Sequence, residues 1–245
     1  MKKVVFLGAK NIGYKCLKHL YSSQENFDFK ITGVLTNQRG NDILDFCNEN
    51  SLKVYDSLED LLKIDNFDIG ISVQYHKILK KKHIDKATQI FVNLHMAPLP
   101  EYRGCNQFSF AIINNDKIFG TTIHRLEEGI DSGDILFEER FKIPNSCWVE
   151  DLYKITFKHS ISLFENSLSK IIKGNYILTP QKSLIGKRKS ELHYRKEINE
   201  IKKINLGWSK SKIKRYIRAT YMPGFKPPFI ELGNQKFFFN KETNN

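Results

Sequence analysis

The chain is predicted to be an α/β protein, a doubly wound and mainly parallel sheet with a small carboxy-terminal subdomain. Three observations carry this. Short apolar, β-branched runs alternate with segments whose apolar residues recur at helical spacing, the pattern of successive strand–helix units. The first run, Lys3 to Gly8, ends in a glycine-containing turn that leads into a helical segment. After Pro180 the periodicity fades and basic residues accumulate.

Taken in order, Lys3 to Gly8 reads as a buried strand and Gly8 to Gly13 as a turn. The next helix runs to about Tyr21, with Ile12, Cys16, Leu17 and Leu20 on one face. Phe29 to Thr36 is a second strand and Asp42 to Asn50 a second helix; Val54 and a short helix from Ser57 to Leu62 follow. Phe67 to Val73 and Ile90 to Leu94 are the next strands, and right-handed crossovers would cover both faces of the sheet. Asn106 to Asn114 is a helix with Asn106 as its cap. Phe119 to Leu126 and Asp134 to Ile143 are strands flanking the Glu127-to-Gly133 loop. Trp148 to Lys173 is a long amphipathic helix that buries Leu152, Ile155, Phe164, Leu168 and Ile171 and stops at Gly174. Beyond Pro180 we expect loops, a short sheet and one helix, Ser209 to Ala219, giving a core over 1–180 and a subdomain over 181–245.

The formal charge is +12, and residues 181–245 hold 16 Lys or Arg against 5 Asp or Glu. Such a tail means either an anionic partner or a solvated surface. The cysteines Cys16, Cys47, Cys105 and Cys147 are scattered without a Cys-x-x-Cys pair, which fits reduced thiols in the cytoplasm and gives no metal-ligand spacing. No apolar run approaches the roughly 20 residues that span a bilayer. The basic and apolar start, Met1 to Lys10, is too short for a secretion signal and reads as the first strand, so no membrane partner is expected.

The most informative stretch is Asn93-Leu-His95-Met-Ala-Pro98-Leu-Pro100-Glu-Tyr-Arg103-Gly104, followed by Asp131-Ser-Gly133-Asp134-Ile. Asn93 and His95 close an apolar run and lie two apart, so on a strand they face one side. Asp131 follows His95 by 36 residues, in a turn next to a strand. An amide, an imidazole and a carboxylate at the carboxyl edge of such a sheet can serve one carbonyl transfer. The amide can donate to a developing oxyanion, the imidazole can exchange a proton near neutral pH, and the acid can orient or assist it. How His95 and Asp131 divide the proton is open.

These paired motifs resemble the formyltransferase family, over roughly residues 1–180. Met96-Ala97-Pro98 with Cys105-Asn106-Gln107-Phe108 is most similar to its nucleotide-sugar N-formyltransferases, in particular those acting on dTDP-4-amino-4,6-dideoxyglucose. One departure stands out: the family's serine two residues after the histidine is Ala97 here. The resemblance implies transfer of a formyl group from 10-formyltetrahydrofolate, with no metal, to the amine of a nucleotide-linked sugar for surface polysaccharide such as O-antigen. It implies catalysis by Asn93, His95 and Asp131. It further implies a folate pocket lined by Gln74, Tyr75, Ile78 and Leu79 and closed by the loop holding Glu127, Gly129 and Ile130. For Ile78 and Leu79, core packing of a short helix is the competing reading.

Residues expected at the substrate are Lys10, in a turn suited to phosphate, Met96, and Arg103, whose alternative is a surface charge. Arg218, Tyr221, Lys226 and Phe229 join them, from a stretch of aromatic rings, prolines and cations that suits a base beside a diphosphate. An aromatic mini-core is the alternative for that stretch. At the level of the whole protein, the alternatives are a methionyl-tRNA formyltransferase, against which the short tail counts, and a basic nucleic-acid-binding protein, which charge alone supports. A homodimer is left open.

Overall fold

The structure is a computed structural model and describes residues 1–37 and 39–241. In chain order its first elements are β1 (Lys2–Gly8), α1 (Lys10–Ser22), α2 (Gln24–Phe27), β2 (Phe29–Leu35), α3 (Asn41–Glu49), β3 (Val54–Tyr55), α4 (Leu58–Lys63), β4 (Phe67–Val73), α5 (Lys81–Ile84) and β5 (Ala87–His95). Then come β6 (Tyr102–Gly104), α6 (Gln107–Ile113), β7 (Ile118–Arg125), β8 (Ile135–Lys142) and α7 (Val149–Lys173). The remainder holds β9 (Glu191–His193), α8 (Ile198–Ile201), α9 (Lys210–Thr220) and a hairpin of β10 (Phe229–Leu232) and β11 (Gln235–Phe238).

Seven strands form one sheet in the order β3-β2-β1-β4-β5-β7-β8. The pairs from β3 to β5 are parallel, while β7 and β8 join antiparallel. The expected mainly parallel architecture is therefore present, with a hairpin added at one edge. From β1 the chain builds outward through β2 and β3, then crosses to β4 on the other side. A crevice opens at such a reversal, at the carboxyl ends of the strands.

Alternation of side chains along the strands makes two apolar layers. Val4 and Phe6 of β1 pack with α1, α3 and α7 through Leu17, Ile43 and Phe164, whereas Val5 and Leu7 meet Leu58, Leu61 and Leu79 on the opposite face. On β5 and just past it, the even positions Val92, Leu94 and Met96 belong to the first layer and Phe91 to the second. Asn93 and His95 thus continue the row begun by Phe91, at the point where apolar cover ends.

Three local expectations are corrected. Helix α1 starts at Lys10, inside the expected turn. Asn106 precedes α6 in a left-handed conformation and makes no side-chain cap; its amide nitrogen instead donates to Tyr194 O at 2.9 Å. Ile155 of α7 is only half-buried, its side being shared with solvent. Trp148 and Gly174 do flank α7, Gly174 with φ 77° in the left-handed region.

The segment after Pro180 is stitched onto the core. β9 pairs in parallel with β6, Arg188 donates to Leu99 O and pairs with Glu138, and Ala219 of α9 is fully buried against Phe119 and Leu152. The backbones come close at Gly104, where φ is +86° and an added Cβ would lie 2.2 Å from His193 O. Gly104→Ala is expected to destabilise the protein by about 1–3 kcal/mol through backbone strain and displacement of β9. Urea unfolding midpoints check this, and an unchanged midpoint would contradict it.

Candidate active site

A cavity of about 220 Å³ opens at the carboxyl ends of β1, β4 and β5, and Asn93, His95 and Asp131 all line it. β5 supplies the first two. Asp131 comes from the turn after β7, whose last residues His124 and Arg125 pair with Asn93 and Val92 of β5. Asp131 Oδ2 lies 3.6 Å from His95 Nδ1 and accepts the Gly104 backbone N–H at 2.9 Å. Its Oδ1 lies 3.5 Å from Nε2 of His124, a residue 1% exposed. Burial opposes ionisation of Asp131, but His95 and His124 in their protonated forms, with the Gly104 N–H, outweigh it and hold the carboxyl well below the usual carboxylate range.

Backbone partners assign the two histidine tautomers, because a carbonyl can only accept. His95 is 2.7 Å through Nε2 from Tyr102 O, so Nε2 carries a proton and Nδ1 is the nitrogen facing Asp131. His124 is 2.9 Å through Nδ1 from Arg125 O. Its Nε2 therefore accepts from Asn93 Nδ2 at 3.1 Å in the neutral ring. Asn93 and His124 are cross-strand partners, which brings their side chains together on one face.

The mouth of the cavity is cationic. Lys10, Arg39 and Arg195 line it, and Asp131 is the acid among its described lining residues. Lys10 Nζ donates to Gln74 Oε1 at 2.9 Å; burial, with Arg39 and Arg195 nearby, lowers its pKa. Lys10, Gln74 and Asp131 all have left-handed backbones, at φ 60°, 55° and 48°. Such conformations cost energy in non-glycine residues and gather where the surrounding structure fixes a site. Tyr75 and His76 complete this side, with their rings 4.9 Å apart.

Other expected site residues lie elsewhere. Leu79 is 7% exposed in the apolar layer, whereas Ile78 is 76% exposed, so core packing fits Leu79 and not Ile78. Met96 is buried in the first layer, and Arg103 is half-buried on β6 with its Nε unpartnered. Glu127 pairs with Arg125, and Gly129 and Ile130 are exposed; none of these three lines the cavity.

Arg218 lines a separate hollow with Asp116 and Cys147. Tyr221 packs edge-on against Trp148 at 5.9 Å, and Phe229 meets Phe238 at 5.9 Å. The Lys226 carbonyl accepts from Lys202 Nζ at 2.6 Å. The structure does not bring these four to the cavity that holds Asn93. Ala97 is fully buried, and its carbonyl accepts from Thr122 Oγ1 at 2.9 Å.

Sequence reasoning missed several residues at or behind the cavity. His124 carried no local signal, since only the pairing of β7 with β5 sets it opposite Asn93. Gln181, whose amide nitrogen donates to the carbonyls of Asp131 and Gly133 at 2.8 and 2.7 Å, carried none. Arg39 lies in a turn and Arg195 opens a short 3-10 helix, and both reach the cavity only through tertiary folding.

Residues 24–165, more than half the chain, match the family model described as formyl transferase. The chain is similar to methionyl-tRNA formyltransferase of Finegoldia magna, 29% identical over 168 residues, covering 62% of this chain and 53% of that protein. It is also similar to GDP-perosamine N-formyltransferase of Brucella melitensis, 28% identical over 171 residues, covering 70% and 63%. The chain thus spans less than two thirds of the length of both relatives. Among solved structures it resembles WlaRD, a sugar 3N-formyl transferase in the presence of dTDP and 5-N-formyl-THF. That likeness has a TM-score of 0.78 and 26% identity, and covers 96% of this chain and 84% of that one.

Proposed function

Because the chain belongs to the formyl transferase family, we propose that it transfers a formyl group from 10-formyltetrahydrofolate to the amine of a nucleotide-linked amino sugar. The observation that carries this is the convergence of Asn93, His95 and Asp131 on one cavity with a cationic mouth. The substrate we favour is dTDP-4-amino-4,6-dideoxyglucose, for surface polysaccharide such as O-antigen, in the cytoplasm. The neighbour solved with dTDP supports the thymine base, and the GDP-perosamine relative makes guanine the alternative.

When bound, the folate supplies an electrophilic formyl carbon attached to a nitrogen leaving group. The backbone turn at Gln74 and Tyr75 and the open space before Asn93 suit the edge of a fused ring. The sugar amine forms the new bond to the formyl carbon. Asn93 turns an N–H toward the formyl oxygen, where negative charge gathers. His95 Nδ1 accepts the proton that the amine loses, and Asp131 steadies the imidazolium that results. That proton returns to the departing folate nitrogen, leaving a formamide on the sugar. Lys10, Arg39 and Arg195 take the diphosphate.

Mass spectrometry of product, with a panel of nucleotide amino sugars and 10-formyltetrahydrofolate, tests the reading. A gain of one CO unit on a sugar supports it; formylation of methionyl-tRNA alone would replace it with the reading favoured by the basic tail and the Finegoldia relative. Arg39→Ala and Arg195→Ala are each expected to raise KM for the nucleotide sugar by about tenfold, equivalent to ~1.4 kcal/mol, with little change in kcat. Initial-rate kinetics check this, and an unchanged KM in both variants contradicts the diphosphate assignment.

A further inference from the structure

We infer that His124 is a positioning residue that fixes which end of the Asn93 carboxamide meets the reacting oxygen. This rests on the formyl-transfer reading above. His124 is 1% exposed and lies opposite Asn93 across the β5–β7 pair. Its Nδ1–H is held by the Arg125 carbonyl at 2.9 Å, which leaves Nε2 with a lone pair aimed at Asn93 Nδ2, 3.1 Å away. A carboxamide looks the same from either end by shape, so only its hydrogen bonds decide its orientation. Flipped, the Asn93 oxygen would face a bare nitrogen, two acceptors in contact. As found, one N–H is spent on His124 and the other is left for the formyl oxygen.

Asp131 Oδ1 stands 3.5 Å from the same Nε2, and the His95 ring lies edge-on at 6.3 Å between centroids. One buried imidazole thus touches both the amide and the acid of the site, without itself lining the cavity. It acts through Asn93.

Two measurements on the full chain test this. In ¹⁵N-histidine NMR at neutral pH, His124 is expected to carry its proton on Nδ1 with Nε2 bare; a proton resident on Nε2, in the neutral or the charged ring, overturns the inference whether or not a substrate is known. In kinetics, His124→Leu is expected to lower kcat about ten- to a hundredfold with KM nearly unchanged. His124→Gln keeps an oxygen acceptor near the Nε2 position and is expected to recover most of that loss. In an Asn93→Ala background, His124→Leu should cost no more than about twofold further, because the two act as a unit. A wild-type kcat in His124→Leu, or full additivity with Asn93→Ala in folded proteins, overturns the positioning role alone. A wild-type chain inactive on every amino sugar overturns the function proposed above, and with it the role of His124 in turnover.

Discussion

Asn93→Ala is expected to lower kcat for formyl transfer by about 10²–10³, the usual cost of deleting one donor to a developing oxyanion, with KM for both substrates nearly unchanged. The side chain is half-buried at the end of β5 and touches the ring of His124 through one N–H, so its removal opens little core. The protein should therefore fold and still bind nucleotide. Titration calorimetry with dTDP separates the outcomes. Lost turnover with retained binding supports a donor acting on the reacting oxygen, whereas weak binding by the folded variant would move Asn93 from chemistry to recognition.

Asp131→Asn is expected to lower kcat by about 10³, within the range for lost proton-transfer assistance. It keeps an oxygen for the Gly104 N–H but no longer offers a charge to His95 or His124. The same substitution carries a stability signature. The carboxyl of Asp131 is held well below its ordinary range in the folded protein, so its ionised form favours folding. That contribution is complete above the unfolded-state value of about 4 and is lost as pH falls through the lower folded-state value. The gap in Tm between wild type and Asp131→Asn should thus be widest near neutral pH and narrow below about pH 4. A gap that stays constant across pH would contradict the assigned contacts.

The sheet was legible because its strands are buried on both faces and read as continuous apolar runs; β4, Phe67–Val73, agrees residue for residue. β5 was read too short because Thr88 and Gln89 are polar and interrupt the apolar run after Ala87, yet all three extend the strand beside β4. The meeting of Asn93 with His95 followed from strand periodicity, and that of Asp131 from the motif in the loop after the next strand. His124 stayed hidden because pairing β7 antiparallel to β5 is a tertiary decision that no local pattern records. The same holds for Gln181, which reaches back 50 residues to the Asp131 carbonyl. Arg218, Tyr221, Lys226 and Phe229 formed one neighbourhood in sequence, but α9 and the hairpin direct them to different packing partners.

The account depends on one reacting carbon sitting among three side chains. A crystal structure of the chain with 5-formyltetrahydrofolate and a nucleotide amino sugar tests this most directly. The expected result is a formyl oxygen within about 3 Å of Asn93 Nδ2 and the sugar amine within similar reach of His95 Nδ1, with Asp131 behind it. A formyl group bound away from Asn93 and His95, with the cavity at the ends of β1, β4 and β5 unfilled, would contradict it.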